Sequence, residues 1–272
     1  MSDSAPAEIP TGIAAIAAQD PTRIALLVPG GGQWTFAQLD AAINQLGHRF
    51  EAAGLAPGDA VAVLGPNSPE WIVTYHAALR AGLALVPVNW HLQRDDIEYV
   101  IADSGAKALV VSASFADLVR DIDLPLTISI GAVEGYESFA DALAERPDTP
   151  LVGRPPGQVM IYTSGTTGRP KGVRQEHSDA GSAQGDAITA LFGFEPGDTM
   201  LCTAPLYHSG PSRICCEWPL AAGLTVVVMD RFDAAVALRL IAEHRISHAF
   251  FVPTMFERML RLPEAERAAD IS

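Results

Sequence analysis

Apolar residues recur at helical spacing at Leu39, Ile43, Leu46 and Phe50, which predicts an amphipathic helix. Thr35, with Gln38 three residues on, reads as a capping box at its start, and Gly54 offers a left-handed stop at its end. Pro57-Gly58-Asp59 then turns the chain into the unbroken apolar run Ala60 to Leu64, the pattern of a strand buried on both faces. Ser68 and Pro69 supply an N-cap and N1 pair for a helix through Trp71 and Leu79 to Gly82. A strand over Leu83 to Val88, a helix through Ile97 and Ile101, and a strand over Lys107 to Val111 follow. Strand, helix, strand in regular alternation predicts an α/β fold of mostly parallel sheets covered by helices.

The rhythm breaks between Ala144 and Gln158, where Pro147, Pro150, Pro155 and Pro156 cluster with Gly153 and Gly157. That composition suits a surface linker, and it divides the chain into a first α/β lobe over 1–150 and a second over 151–272. The second lobe opens with a strand over Val159 to Thr163, followed by a glycine-rich loop to Gly172 and a helix after His177. Strands are expected at Thr199 to Thr203, Thr225 to Met229 and Ser247 to Val252, with a helix over Asp233 to His244. The run Phe250-Phe251-Val252 reads as a buried strand or as the lining of an apolar tunnel.

Charge narrows the function classes. The 272 residues carry 18 Lys+Arg against 32 Asp+Glu, a formal net charge of −14. Such an acidic surface argues against general binding to nucleic acid or anionic lipid. No apolar stretch is long and uninterrupted enough for a membrane span, and the first residues lack a basic secretory leader. Cys202, Cys215 and Cys216 form neither a CxxC pair nor an even framework, which fits a reduced, cytoplasmic setting, and Cys215-Cys216 reads as core packing. His244 and His248 stand four apart without a third ligand and read as a solvated helix end rather than a metal pair.

One segment stands apart. Tyr162-Thr163-Ser164-Gly165-Thr166-Thr167-Gly168-Arg169-Pro170-Lys171-Gly172-Val173 leaves an apolar strand and concentrates glycines and hydroxyls. Glycines allow consecutive backbone N–H groups to turn toward an anion, and hydroxyls can donate to phosphate oxygens or ligate a cation. From Thr149 to Gln175 there is no acidic residue, whereas Arg154, Arg169, Lys171 and Arg174 are all present. Only two lysines, Lys107 and Lys171, occur in the chain, and one of them lies here. The segment reads as a cradle for nucleotide phosphates. It is not a Walker A loop, because Lys171 is preceded by Pro170 and followed by Gly172.

The string Tyr162 to Val173 resembles the signature phosphate loop of the adenylate-forming superfamily, which comprises acyl-CoA synthetases, firefly-type luciferases and peptide-synthetase adenylation domains. Trp34-Thr35-Phe36-Ala37-Gln38-Leu39 resembles the first core motif of that family, and Leu79-Arg80-Ala81-Gly82 through Pro87-Val88-Asn89 the second. Pro205-Leu206-Tyr207-His208-Ser209-Gly210 is similar to the segment that carries a substrate-side histidine in the CoA ligases, and Val252-Pro253-Thr254 to a later core segment. Asn89, where amino-acid-activating members carry Asp, and the Pro-Leu-Tyr-His stretch point within the family to a CoA ligase.

The resemblance implies the N-terminal part of the adenylate-forming ligase fold. It also implies an ATP-dependent carboxylate–CoA ligase that makes an acyl-adenylate and then an acyl-CoA thioester from a fatty or aryl acid, with ATP, Mg²⁺ and CoA. Thr163, Ser164, Gly165, Thr166, Thr167 and Gly168 would then wrap the β- and γ-phosphates, with Thr163 also a Mg²⁺ contact. Lys171 would assist with pyrophosphate, and His208 would stand beside the carboxylate. The family's adenine and ribose contacts, hinge and small C-terminal domain are expected downstream of Ser272. A chain ending at Ser272 is therefore expected to be a poor enzyme or none. An adenylation domain that loads a carrier protein and a non-catalytic nucleotide-binding remnant stay open as alternatives.

Overall fold

A computed structural model describes residues 11–163, 169–176 and 183–267. Its strands are β1 (Ile24–Leu27), β2 (Gln33–Thr35), β3 (Ala60–Leu64), β4 (Ala84–Val88), β5 (Ala106–Ser112), β6 (Leu126–Ile130), β7 (Glu137–Ser138), β8 (Gln158–Thr163), β9 (Lys171–Glu176), β10 (Thr199–Cys202), β11 (Thr225–Val228) and β12 (His248–Ala249). The helices are α1 (Gly12–Gln19), α2 (Phe36–Ala52), α3 (Pro69–Arg80), α4 (Arg94–Ser104), α5 (Phe139–Leu143), α6 (Ala183–Phe192), α7 (Ser209–Ser212), α8 (Trp218–Ala221), α9 (Ala234–His244), α10 (Pro253–Leu260) and α11 (Glu264–Arg267). A π-helical turn over Arg213–Glu217 joins α7 to α8.

Two sheets result, one of seven strands in the order β7-β6-β5-β3-β4-β8-β9 and one of five in the order β12-β10-β11-β1-β2. Among the described strands only β1–β2 and β8–β9 pair antiparallel. The mostly parallel α/β class expected from the sequence is what forms.

Side-chain alternation explains the layering. Val61 and Val63 of β3 join a large core with Leu39, Ile43, Leu46 and Phe50 of α2 and Trp71, Ile72 and Tyr75 of α3. The same core takes in Leu26, Met200, Val226 and Val228 of the five-stranded sheet, so α2 and α3 lie between the two sheets. The opposite face of β3, Ala60, Ala62 and Leu64, packs with Ile97, Val100 and Ile101 of α4. Leu201 and Val227 on the outer face of the five-stranded sheet meet Ala237, Leu238 and Leu240 of α9. Burial of β3 and β4 on both faces is why their sequences are continuously apolar.

The local signals hold at α2 and α3. The Thr35 hydroxyl accepts from Gln38 N at 3.2 Å while the Thr35 N–H donates to Gln38 Oε1 at 2.9 Å, and Ser68 Oγ accepts from Trp71 N at 3.1 Å. Gly54 has the left-handed backbone, φ +84°.

Several expectations are corrected. The sheets do not divide at residue 150: β8 and β9, beyond it, complete the seven-stranded sheet, while β1 and β2, before it, belong to the five-stranded one. The proline-rich segment is not a free linker. Asn44 Nδ2 donates to Asp148 O at 2.8 Å, His48 Nε2 lies 2.9 Å from Thr149 O, and Leu151 is buried against Gly47 of α2. At its end Gly157 passes so close to α3 that a Cβ there would stand 2.5 Å from Leu79 Cα and 2.6 Å from Leu79 O. The glycine-rich loop ends at Pro170 rather than Gly172, because Lys171 already opens β9.

The expected strand Ser247 to Val252 shortens to His248–Ala249. Pro253 starts α10, and the Thr203 hydroxyl, just past the end of β10, takes the Phe250 carbonyl in place of a ladder bond. Phe250 and Phe251 are half-buried and Val252 is exposed. His248 is no helix end: it opens β12, packs edge-on against Phe194 at 5.0 Å, and its Nε2 lies 3.2 Å from Phe192 O.

Candidate active site

β4 and β8 are parallel neighbours, so Asn89 and Thr163 emerge at the same carboxyl edge of the seven-stranded sheet. Such edges, where loops leave parallel strands, are where open α/β sheets hold ligands. β9 returns antiparallel with Lys171 directly opposite Thr163. A hydroxyl-bearing residue and a cationic one thus face each other where the phosphate-loop string begins and ends, and both are exposed. Ser164, Gly165, Thr166, Thr167 and Gly168 lie outside the described residues.

The base of this hairpin is clasped to α4. Gly172, opposite Tyr162, leaves room for the phenol ring: a Cβ there would stand 2.9 Å from Tyr162 Cζ and 3.0 Å from Met160 Sδ. The Tyr162 hydroxyl donates to Asp103 Oδ2 at 2.7 Å, and the Tyr99 hydroxyl reaches Asp103 Oδ1 at 3.3 Å. Burial, and then the bond to the Asp103 carboxylate, push the Tyr162 phenol well above its ordinary range. It stays a donor at every physiological pH. Arg169, expected to serve the phosphates, stacks over the Tyr99 ring at 4.9 Å from its centroid.

His208 comes from the other sheet. β10 ends at Cys202, and Thr203 to Tyr207 carry the chain to His208, the N-cap residue of α7. Its ring lies 4.4 Å from that of Tyr207, which is buried, and Tyr207 meets both Trp90 and His91 at 6.4 Å between centroids. Trp90 and His91 follow β4, so the rims of the two sheets join here. The His208 imidazole is open to solvent on one side, yet desolvation and then the nearby His91 lower its pKa below the ordinary 6.5. His208 is thus mainly neutral at pH 7.

The sequence reading missed three residues of this region. His91 and Asp103 carry no local signal, since their partners lie on other elements. Asn67 is the third: it precedes the Ser68 N-cap, is 5% exposed, and bonds to Ala204, Leu206 and Met229, more than 130 residues away. Cys215 and Cys216 are free thiols buried in the core, as expected, and Cys202 is buried beside them.

A magnesium ion fits this donor set only as the companion of a polyphosphate. The Thr163 hydroxyl is a hard oxygen donor of the kind Mg²⁺ accepts. Among the described residues no group of three His, Cys, Asp or Glu side chains could cage a metal by itself. Thr163 would supply one ligand and the nucleotide's oxygens, with water, most of the others. Bound there, the ion would offset phosphate charge. No helix among the described residues is long and apolar enough to cross a membrane.

Known proteins are similar to this chain in sequence and in fold. Feruloyl-CoA synthase from an Amycolatopsis species is 32% identical over 245 residues, which cover 89% of this chain and 48% of the relative. The chain thus spans about half the length of that relative. The inhibitor-bound N-terminal domain of FACL13 from Mycobacterium tuberculosis superposes with a TM-score of 0.83 at 29% identity, covering 96% of this chain and 68% of the other. ATP-bound MatB from Rhodopseudomonas palustris gives a TM-score of 0.79 at 26% identity, covering 93% of this chain and 52% of the other. The family model described as AMP-binding enzyme matches residues 13–272, and the chain belongs to that family.

Proposed function

We propose that this chain is the phosphate-binding and acid-binding part of an ATP-dependent carboxylate–CoA ligase. One observation carries the reading: Thr163, Lys171 and His208 emerge at the carboxyl rims of two sheets that meet through Trp90, His91 and Tyr207. The activity for which the feruloyl-CoA synthase relative is named and the ATP-bound neighbour support it.

The reaction has two displacements. A carboxylate oxygen attacks the α-phosphorus of ATP, the α–β bridging bond breaks, and pyrophosphate leaves; the CoA sulfur then attacks the acyl carbon of the mixed anhydride and AMP leaves. The barrier to the first step is repulsion, because an anion approaches a polyanion. Preorganised donors and cations lower it by stabilising charge where it develops. Thr163, the hydroxyls and amides of Ser164 to Gly168, and Lys171 would hold the β- and γ-phosphates and the departing pyrophosphate. A neutral His208 would orient the carboxylate by a hydrogen bond without quenching its nucleophilic charge. The buried reduced thiols fit work in the cytoplasm.

Carboxylate-dependent exchange of labelled pyrophosphate into ATP by the complete ligase, this chain joined to the downstream parts expected of the family, tests the first half. Exchange that rises with an added fatty or aryl acid is expected, and release of AMP on adding CoA tests the second. Saturation binding of ATP with no exchange for any acid would leave a nucleotide-binding protein instead. AMP release driven by a carrier-protein thiol but not by CoA would identify a carrier-loading domain.

A further inference from the structure

Asn67 belongs to the β3–α3 connection of the seven-stranded sheet, but its side chain works in the other one. Its Nδ2 donates to Ala204 O and to Met229 O, each at 3.0 Å, and lies 3.7 Å from Cys202 Sγ. Its Oδ1 accepts from Leu206 N at 2.9 Å. Ala204 and Leu206 bracket Pro205 in the loop that leads to His208, and Met229 directly follows β11. The amide therefore ties the His208 loop to both the neighbouring strand end and the opposite sheet.

The chemistry of the side chain matters. Two carbonyls and one N–H converge on it, and among the common side chains of this size only a carboxamide offers two donors and an acceptor in one plane. An aspartate would accept from Leu206 but repel both carbonyls. Two residues beyond Leu206 the chain reaches His208, whose own N–H donates to Pro205 O at 3.3 Å. The imidazole's placement thus inherits whatever fixes residues 204–206.

We propose that Asn67 is a positioning residue for His208, its buried carboxamide holding the Ala204–Leu206 loop so that the imidazole stays against Tyr207 and beside His91. The step from placement to catalysis rests on the proposed role of His208. Displacing a reacting group by even an ångström costs orders of magnitude in rate. The hold itself can be read without turnover.

The test is proton NMR titration of histidine-labelled protein, comparing the parent with Asn67→Ala, Asn67→Asp and Asn44→Ala. Asn44 is the control: it too is buried and bonds to Asp148 O and to Arg80, at a site that involves neither the loop nor His208. His208 faces His91 and Tyr207, so loosening its loop moves it into water and away from His91. The expected result is an upward shift of the His208 midpoint in both Asn67 variants and no shift in Asn44→Ala, whatever the melting temperatures do. In pyrophosphate exchange by the complete ligase, Asn67→Ala should lower kcat about a hundredfold with little change in KM for ATP. Folded Asn67 variants whose His208 titrates as in the parent would overturn the proposal. So would failure of both variants to fold, which would make Asn67 a folding residue. Exchange that survives His208→Ala while the Asn67 shift persists would remove the catalytic role of His208 but leave the hold intact.

Discussion

The two halves of the candidate site are built in opposite ways. The hairpin of β8 and β9 presents Thr163, Arg169 and Lys171 to solvent, and its described anchor is a set of surface contacts around Asp103. The His208 loop rests on buried Tyr207 and is sewn down by buried Asn67. The difference matches the two tasks assigned to them. Gripping a hydrated polyanion needs exposed charge and donors that can close around it, whereas orienting one carboxylate needs a ring that does not move. Substitutions at the first should weaken affinity, and substitutions at the second should slow the chemistry.

The largest effect is expected at the imidazole. In the complete ligase, His208→Ala should lower pyrophosphate exchange at least about a hundredfold while ATP affinity, measured by calorimetry, changes little. An equal loss in both would erase the contrast between the halves. Next comes the backbone that aims the hairpin. Gly157→Ala forces a methyl group into the Leu79 backbone and should cost about 3 kcal/mol in urea unfolding. A cost within experimental error would mean that the entry to β8 is not fixed by that contact.

A subtler effect concerns pH. The folded state lowers the His208 pKa, so it disfavours the protonated ring relative to the unfolded chain. The corresponding stability is complete above the ordinary histidine range and is lost as pH falls through the folded-state value. The unfolding free energy of the parent should therefore drop more steeply below about pH 6.5 than that of His208→Gln. Parallel profiles would place the ring in a water-like setting. The smallest effect is expected at the clasp. Asp103→Asn keeps the shape but removes the charge that both phenols address; it should weaken ATP binding by about threefold and stability by under about 1 kcal/mol. A larger effect on exchange rate than on affinity would tie the hairpin to the chemistry as well.

What could be read from the sequence was what is local. The Thr35–Gln38 capping box, the Ser68–Pro69 start and the apolar runs of β3 and β4 are contacts between near neighbours, and each appears where the pattern put it. The phosphate-loop string was recognisable because glycines, hydroxyls and a lysine crowd one stretch. The assignment of strands to sheets was not recognisable, since β1 lies beside β11 through pairing across some 200 residues, Leu26 with Val226. The proline-rich segment misled for a related reason: its composition is that of a loop, but its carbonyls are taken by α2 side chains far away in sequence. Asn67 and Asp103 escaped because a lone polar residue looks the same whether it faces water or ties elements together.

The grip of the hairpin on a triphosphate is the claim on which the rest stands, and nucleotide selectivity tests it most directly. Calorimetric titration of the parent and of a Thr163→Ala/Lys171→Ala double variant with Mg·ATP and with AMP separates phosphate contacts from those to the nucleoside. The double variant should lose at least about tenfold in ATP affinity, as for loss of a charge-assisted contact, while AMP binding is unchanged. Equal ATP affinity in parent and variant, or an equal loss for ATP and AMP, would contradict it.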